Sequence, residues 1–168
     1  MKIAITDACI FIDILDIRIT SLFFELELEV HTTYDVWNEL YEEQQETLSA
    51  FKSVGKLNVH ILEPEDIEKI INSNYPKSLS SPDKSVLYLA DKFGAMLLSS
   101  DKAVRNFAKS KAIDHHGMFW VLDQLVEKHL ISKESASVRL KELFSKNLMY
   151  RNNMQLRKEA DRRFDLWG

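Results

Sequence analysis

Two short apolar runs, residues 3–6 and 95–100, each stop at an aspartate that a helical pattern follows. The first, Ile3-Ala4-Ile5-Thr6, is apolar and rich in β-branched residues, as a buried strand is. Asp7, two small residues and an apolar pattern suited to a helix come next. The second, Ala95-Met96-Leu97-Leu98-Ser99-Ser100, ends at Asp101 ahead of a helix marked by Val104, Phe107 and Ala108. Acids so placed lie at the carboxyl ends of strands, where open α/β sheets keep their binding crevices.

The rest of the chain keeps the same alternation. Residues 9–15 read as a helix with Asp13 and Asp16 on its polar side, and residues 19–24 as a short helix or turn. Leu26 and Leu28 alternate with Glu25, Glu27 and Glu29, and the strand runs on through Val30-His31-Thr32-Thr33 into capping threonines. The spacing of Val36, Trp37, Leu40, Leu48 and Phe51 predicts one long helix over residues 34–52, stopped by Gly55. Residues 57–62 form another strand, and Pro64-Glu65-Asp66 opens a helix. After a loop over residues 72–80, Ser80-Ser81-Pro82-Asp83 starts a helix that buries Val86, Leu87, Leu89 and Ala90 and ends at Gly94. A short strand at residues 112–114 precedes His115-His116-Gly117, read as a loop, and a helix containing Trp120, Leu122, Leu125 and Val126. Helices at residues 133–145 and about 153–164 complete the chain. Alternating strands and helices over three quarters of the length argue for a mainly parallel sheet covered on both faces.

At 168 residues the chain suits a single domain, residues 1–168, with an α/β core over residues 1–130 and a helical C-terminal extension over residues 131–168. Four Gly and three Pro leave no room for long linkers. No run reaches the length of a membrane span, and no cationic segment precedes an apolar one at the start, so a cytoplasmic protein is expected. The single Cys9 excludes an internal disulfide and a zinc cluster built on cysteine. The net charge of -4 is unevenly spread: residues 1–75 hold 15 acids and 5 bases, residues 76–168 hold 11 acids and 17 bases. A carboxylate-lined site beside a basic surface would produce that asymmetry, and so would two solvated faces.

Four acids stand at the ends of elements. Asp7 and Asp101 follow strands, Asp83 lies in a first helical turn, and Glu39 sits in the helix after the second strand. Right-handed crossovers bring such segments to one edge of a parallel sheet. Four carboxylates gathered there repel one another unless cations sit among them, and hard cations such as Mg²⁺ or Mn²⁺ prefer oxygen ligands. Singly, each acid has an ordinary reading: Asp7 and Asp101 as helix N-caps, Asp83 as the partner of Ser80 in a capping box, Glu39 as one of several solvated glutamates.

The segments Asp7-Ala8-Cys9-Ile10-Phe11-Ile12, Val36-Trp37-Asn38-Glu39-Leu40, Leu79-Ser80-Ser81-Pro82-Asp83-Lys84-Ser85-Val86-Leu87-Tyr88-Leu89-Ala90 and Leu98-Ser99-Ser100-Asp101-Lys102-Ala103 resemble the PIN domain family in order and spacing. The resemblance covers roughly residues 1–130 and implies a three-layer α/β/α sandwich. It implies a Mg²⁺- or Mn²⁺-dependent ribonuclease in which Asp7, Glu39, Asp83 and Asp101 hold one or two ions. Many short members, similar to the VapC group, are toxins of toxin–antitoxin pairs, so RNA as substrate, an antitoxin partner and a homodimer are further expectations, with no membrane partner.

Thr6, Ser99 and Ser100 lie where they can support the carboxylates or the substrate, and Lys84, Lys102, Arg105, Lys109 and Lys111 where they can meet phosphates, solvated lysines being the ordinary alternative. Two departures from the family pattern stand out. Cys9 occupies a position often held by Asn, Ser or Thr, and its thiol is a weak hydrogen-bonding group. Val104 and Arg105 stand where some members carry a further acid. Against the nuclease reading stands a binding module that has kept the fold with little or no catalysis.

Overall fold

The short apolar runs become strands because their side chains are buried on both faces, and the amphipathic stretches between them become helices. In the computed structural model, which describes residues 1–168, the order is β1 (Lys2–Thr6), α1 (Ala8–Asp16), α2 (Thr20–Phe23), β2 (Leu28–Thr33), α3 (Tyr34–Glu39), α4 (Glu42–Ser53), β3 (Leu57–His60), α5 (Pro64–Ile71), α6 (Ser81–Phe93), β4 (Met96–Leu98), α7 (Lys102–Ser110), β5 (His115–His116), α8 (Met118–Glu127), α9 (Lys133–Lys146), α10 (Leu148–Arg151) and α11 (Met154–Trp167). The residues fall into two compact units, one of Met1–Ile12 with Glu27–Gly117, the other of Asp13–Leu26 with Met118–Gly168.

The first unit holds a five-stranded sheet in the order β3-β2-β1-β4-β5, with every pairing parallel. This is the sheet of an α/β/α sandwich. Ala4 is paired with Val30 on one side and with Met96 on the other, so β1 is central and carries fully buried Ala4 and Ile5. The chain adds β2 and β3 on one side of β1 and then crosses to add β4 and β5 on the other. The order therefore reverses between β1 and β4, the point at which doubly wound sheets open a crevice beyond their carboxyl ends. Helix α6 packs against β1, β2 and β4 through Val86, Leu87, Leu89 and Ala90. Its end is set by Gly94, whose φ of 59° is left-handed and open to glycine at little cost.

Three local readings are corrected. The helix expected over residues 34–52 breaks at Leu40, whose ψ of 145° is extended, and resumes at Glu42. Polar side chains cap the break: Gln44 Oε1 accepts the Tyr41 N–H at 2.8 Å, and Gln45 Nε2 donates to the Trp37 carbonyl at 2.8 Å. Hydrophobic spacing survives a break of two residues, Leu40 and Tyr41, which is why periodicity did not show it. The last strand falls on His115–His116 instead of residues 112–114, because Ala112 takes a left-handed φ of 55°. The histidine pair is thus strand, not loop. Finally, β2 starts at Leu28, leaving residues 25–27 in a turn.

In the second unit the expected polar side of α1 is corrected as well: Asp13 is 1% exposed. Its Oδ2 accepts the Tyr150 hydroxyl at 3.0 Å and its Oδ1 the Asn147 amide at 3.2 Å. Asn147 in turn caps α10, a turn of helix with no periodic signature in the sequence. Arg163, in the basic tail segment, is buried and makes a two-pronged pair with Asp123, Nε to Oδ1 at 2.9 Å and Nη2 to Oδ2 at 2.7 Å, while its guanidinium lies 4.8 Å from the Phe119 ring centre. That side chain is committed to packing.

Candidate active site

Asp7 lies one residue past β1, at the reversal of strand order. Its backbone N–H donates to the Leu98 carbonyl at 2.9 Å, continuing the β1–β4 pairing. The carboxylate is 4% exposed. Oδ1 accepts the Ala8 N–H at 2.8 Å and Oδ2 the Ser99 hydroxyl at 2.8 Å. Ser99 Oγ also accepts the Asp101 N–H at 3.1 Å, so one hydroxyl links two of the four acids. Burial pushes the Asp7 carboxyl up to about 6, against the Ser99 and Ala8 hydrogen bonds; the charges of Asp83 and Asp101 push the same way as burial.

The other three acids come from separate segments. Glu39 ends α3, and its carboxyl is raised by partial burial first and then by the charges of Asp7, Asp83 and Asp35. Asp83 lies in the first turn of α6, where its Oδ2 accepts the Ser80 N–H at 3.0 Å and the Ser80 hydroxyl accepts its own N–H at 3.2 Å. Asp101 caps α7, with Oδ1 accepting the Val104 N–H at 3.0 Å. These two caps each engage one carboxylate oxygen, whereas both oxygens of Asp7 accept a hydrogen bond.

A link that sequence reading did not single out joins two of these segments. Thr33 Oγ and Ser85 Oγ are 2.7 Å apart, Ser85 donates to the Pro82 carbonyl at 2.6 Å, and Thr33 accepts the Val36 N–H at 3.2 Å. The start of α3, which ends in Glu39, is thereby tied to the first turn of α6, which carries Asp83. Both hydroxyls are fully or nearly buried. The available signal was a Ser and a Thr at the start of two apolar helices.

The supporting residues sort differently from expectation. Thr6 turns away: its hydroxyl has the Ala4 carbonyl at 3.5 Å, while its own carbonyl accepts the Thr32 hydroxyl at 2.7 Å. Ser100 gives its backbone N–H to Cys9 Sγ at 3.2 Å, and that sulfur lies 3.8 Å from Asp7 Oδ2. Arg105, expected at phosphates, directs Nη1 to the Ser99 carbonyl at 3.1 Å. Gly117 makes room for it, since a Cβ there would stand 3.1 Å from that nitrogen. Lys84 is partly exposed and Lys102 exposed, beside Asp83 and Asp101 in the chain.

The donor set is all oxygen and carries up to four negative charges, which suits a hard divalent cation. No three His, Cys, Asp or Glu side chains form a ready metal-holding group. The acids feel one another's charge without closing on a common point, an arrangement that a bound cation would tighten. A separate cleft of about 580 Å³, lined by Lys2, Asp91, Lys111 and Asp114 among others, opens beside the starts of β1 and β4 and holds none of the four acids.

A family model described as PIN domain matches residues 3–163. The chain belongs to the PIN domain family. Membership makes it a PIN-fold module of nuclease type, in a family that typically uses divalent metal ions. Among solved structures, it is similar to a PilT N-terminus domain protein from the hyperthermophilic archaeon Sulfolobus solfataricus P2, at 14% identity, a TM-score of 0.44, and coverage of 74% of this chain and 94% of that one. No curated protein matches it. No helix is long and apolar enough to cross a membrane.

Proposed function

We propose that this PIN domain is an endoribonuclease dependent on Mg²⁺ or Mn²⁺, with Asp7, Glu39, Asp83 and Asp101 as its catalytic and metal-holding residues. One observation carries the reading. Asp7 and Glu39 are raised first by burial and then by the charges of their neighbours, Asp83 and Asp101 on Asp7, Asp7 and Asp83 on Glu39, so acids from four separate segments stand within reach of one another's charge. Such mutual repulsion has no structural benefit, since buried like charges cost stability.

A bound divalent ion would supply an activated water and neutralise charge developing on the phosphate. The chain's own residues do the rest. Ser99 and the Ala8 N–H hold the Asp7 carboxylate in one orientation, and Ser99 fixes the Asp101 backbone beside it. The Thr33–Ser85 contact sets the spacing of Glu39 and Asp83. Lys84 and Lys102 meet phosphates flanking the cut, where their charge offsets that of the acids. The toxin half of a toxin–antitoxin pair, acting in the cytoplasm as a homodimer held in check by an antitoxin, is the setting that the similarity to short VapC-like members supports.

The test is cleavage of a mixed single-stranded RNA pool by the purified protein with Mg²⁺, Mn²⁺ or EDTA, beside an Asp7→Asn/Asp101→Asn variant. Cutting that needs the metal and is lost in the variant is the expected result. Folded protein that neither cuts RNA nor binds either ion would leave the binding module in its place.

A further inference from the structure

β2 and β3 present two imidazoles that meet edge to edge. The strand register pairs His31 with Asn58 and Thr33 with His60, so the two histidines are diagonal neighbours on one face. His31 Nδ1 and His60 Nε2 stand 2.6 Å apart, with ring planes 15° from parallel and ring centres 4.9 Å apart. At that centre distance, with two nitrogens in contact, the rings lie side by side instead of face to face. Their nitrogen lone-pair directions point at each other. Phe93, at the end of α6, sets its ring edge-on to both, at 6.0 and 5.3 Å.

The outer nitrogen of His31 is taken: Nε2 lies 2.9 Å from Glu29 Oε1. The carboxylate is acceptor only, so it fixes the proton on Nε2 and leaves the Nδ1 lone pair facing His60. His60 is held neutral by burial, by His31 and by the nearby Lys92, which lower its proton affinity. Lys92 is itself paired with Asp66 at 3.0 Å, and Asp66 also accepts the Tyr88 hydroxyl at 2.6 Å. Two imidazoles whose inner nitrogens meet, one of them backed by a carboxylate on its far nitrogen, resemble the inner and outer partners of a histidine metal site. Tetrahedral coordination at Zn–N bonds of about 2.0–2.1 Å sets two nitrogens roughly 3.3 Å apart with their lone pairs about 109° apart, so to admit an ion the rings must part and each swing by about 35°.

We propose that His31 and His60 form a two-imidazole site for a transition-metal dication of the zinc class, with Glu29 fixing the His31 tautomer and water completing the shell. Imidazole nitrogen selects Zn²⁺ over the hard cations that carboxylates prefer, so this site is chemically separate from the four acids. The ion would clamp edge strand β3 to β2.

Calorimetric titration of Zn²⁺ into the full chain tests this, in an Asp7→Asn/Asp101→Asn background that removes two of the four carboxylates. One equivalent is expected to bind. His60→Ala should weaken binding at least tenfold, Glu29→Gln about tenfold, and His115→Ala/His116→Ala should leave it unchanged. His60→Cys, which restores a zinc donor without restoring an imidazole, should recover binding that His60→Ala loses; this separates ligation from a merely structural loss. The proposal fails if no Zn²⁺ binds, in which case the two rings share a proton and nothing more. It fails equally if affinity is the same in His60→Ala, or if Zn²⁺ binds the parent chain and not the background variant, since the ion then belongs to the carboxylates.

Discussion

At the scale of single residues, the buried carboxyl groups govern how the fold answers to pH. Asp13 is pushed up to about 6 from 3.8, chiefly by burial and against the hydrogen bonds from Asn147 and Tyr150. Between those values the folded chain holds a proton that the unfolded chain has released, so stability falls as pH rises through that window and levels off above it. A two-unit shift is worth about 3 kcal/mol, and Asp7, also raised to about 6, acts with the same sign. Asp66, lowered to about 2 by Tyr88 and Lys92, acts oppositely, but its loss sets in below the pH range at issue. Urea unfolding between pH 4.5 and 7.5 should show a slope that Asp13→Asn makes less negative and Asp7→Asn shifts further the same way, with the raised Glu39 carboxyl adding to the decline and the lowered His60 imidazole opposing it. A slope that Asp13→Asn leaves untouched would refute the assignment. Ser99 gives a second residue-scale prediction: without its hydroxyl, the Asp7 carboxylate loses a donor and the Asp101 backbone N–H loses its acceptor. Ser99→Ala should therefore lower metal-dependent RNA cleavage about 10- to 100-fold, while Ser99→Thr retains most of it.

At the scale of elements, caps place the acids. The Ser80–Asp83 capping box aims one Asp83 oxygen at the backbone and fixes the direction of the other. Ser80→Ala should cost about 1 kcal/mol of stability, read from the thermal midpoint, because the Asp83 N–H loses its acceptor; the residue-80 N–H that holds the Asp83 carboxylate stays, so cleavage should change little. Elements of this kind were legible in the sequence because strands, caps and stops are local chemistry. The apolar run before Asp7, the Ser80 start and the Gly94 stop each encode their own geometry. Places where distant polar groups decide the outcome were not legible. Asp13 looks like a surface residue of an amphipathic helix until Tyr150, 137 positions away, supplies its partner. The break at Leu40 depends on Gln44 and Gln45 side chains folding back on the backbone. Arg105 reads as a phosphate ligand until Gly117 lets it reach the Ser99 carbonyl. The four acids could be nominated from the sequence because each stands at or near the end of a strand or helix; the Thr33–Ser85 contact was missed because a hydroxyl pair leaves no pattern.

At the scale of the whole molecule, a chain of net charge -4 has to attract a polyanion. Its acids are concentrated before residue 76 and its bases after, so attraction must come from local cations such as Lys84 and Lys102. The acid cluster opposes them: without a cation, phosphate approaches carboxylates that already repel one another. Two opposite salt effects follow. Monovalent salt weakens RNA binding by screening and counterion exchange, with a slope near 0.7 per phosphate contact for a single strand, and Lys84→Ala or Lys102→Ala should each reduce that slope by about one contact. A hard divalent ion should do the reverse in the native chain, raising affinity by offsetting the negative charge at the site. In Asp7→Asn/Asp101→Asn, RNA should bind more tightly than to the native chain in EDTA, and adding a divalent ion should weaken binding as any salt does. Fluorescence anisotropy of a labelled single-stranded RNA measures both, with Ca²⁺ as the added ion and RNA length checked on a gel after each titration. If Ca²⁺ weakens binding equally in both proteins, the four acids do not face the RNA, and the basic surface acts apart from them.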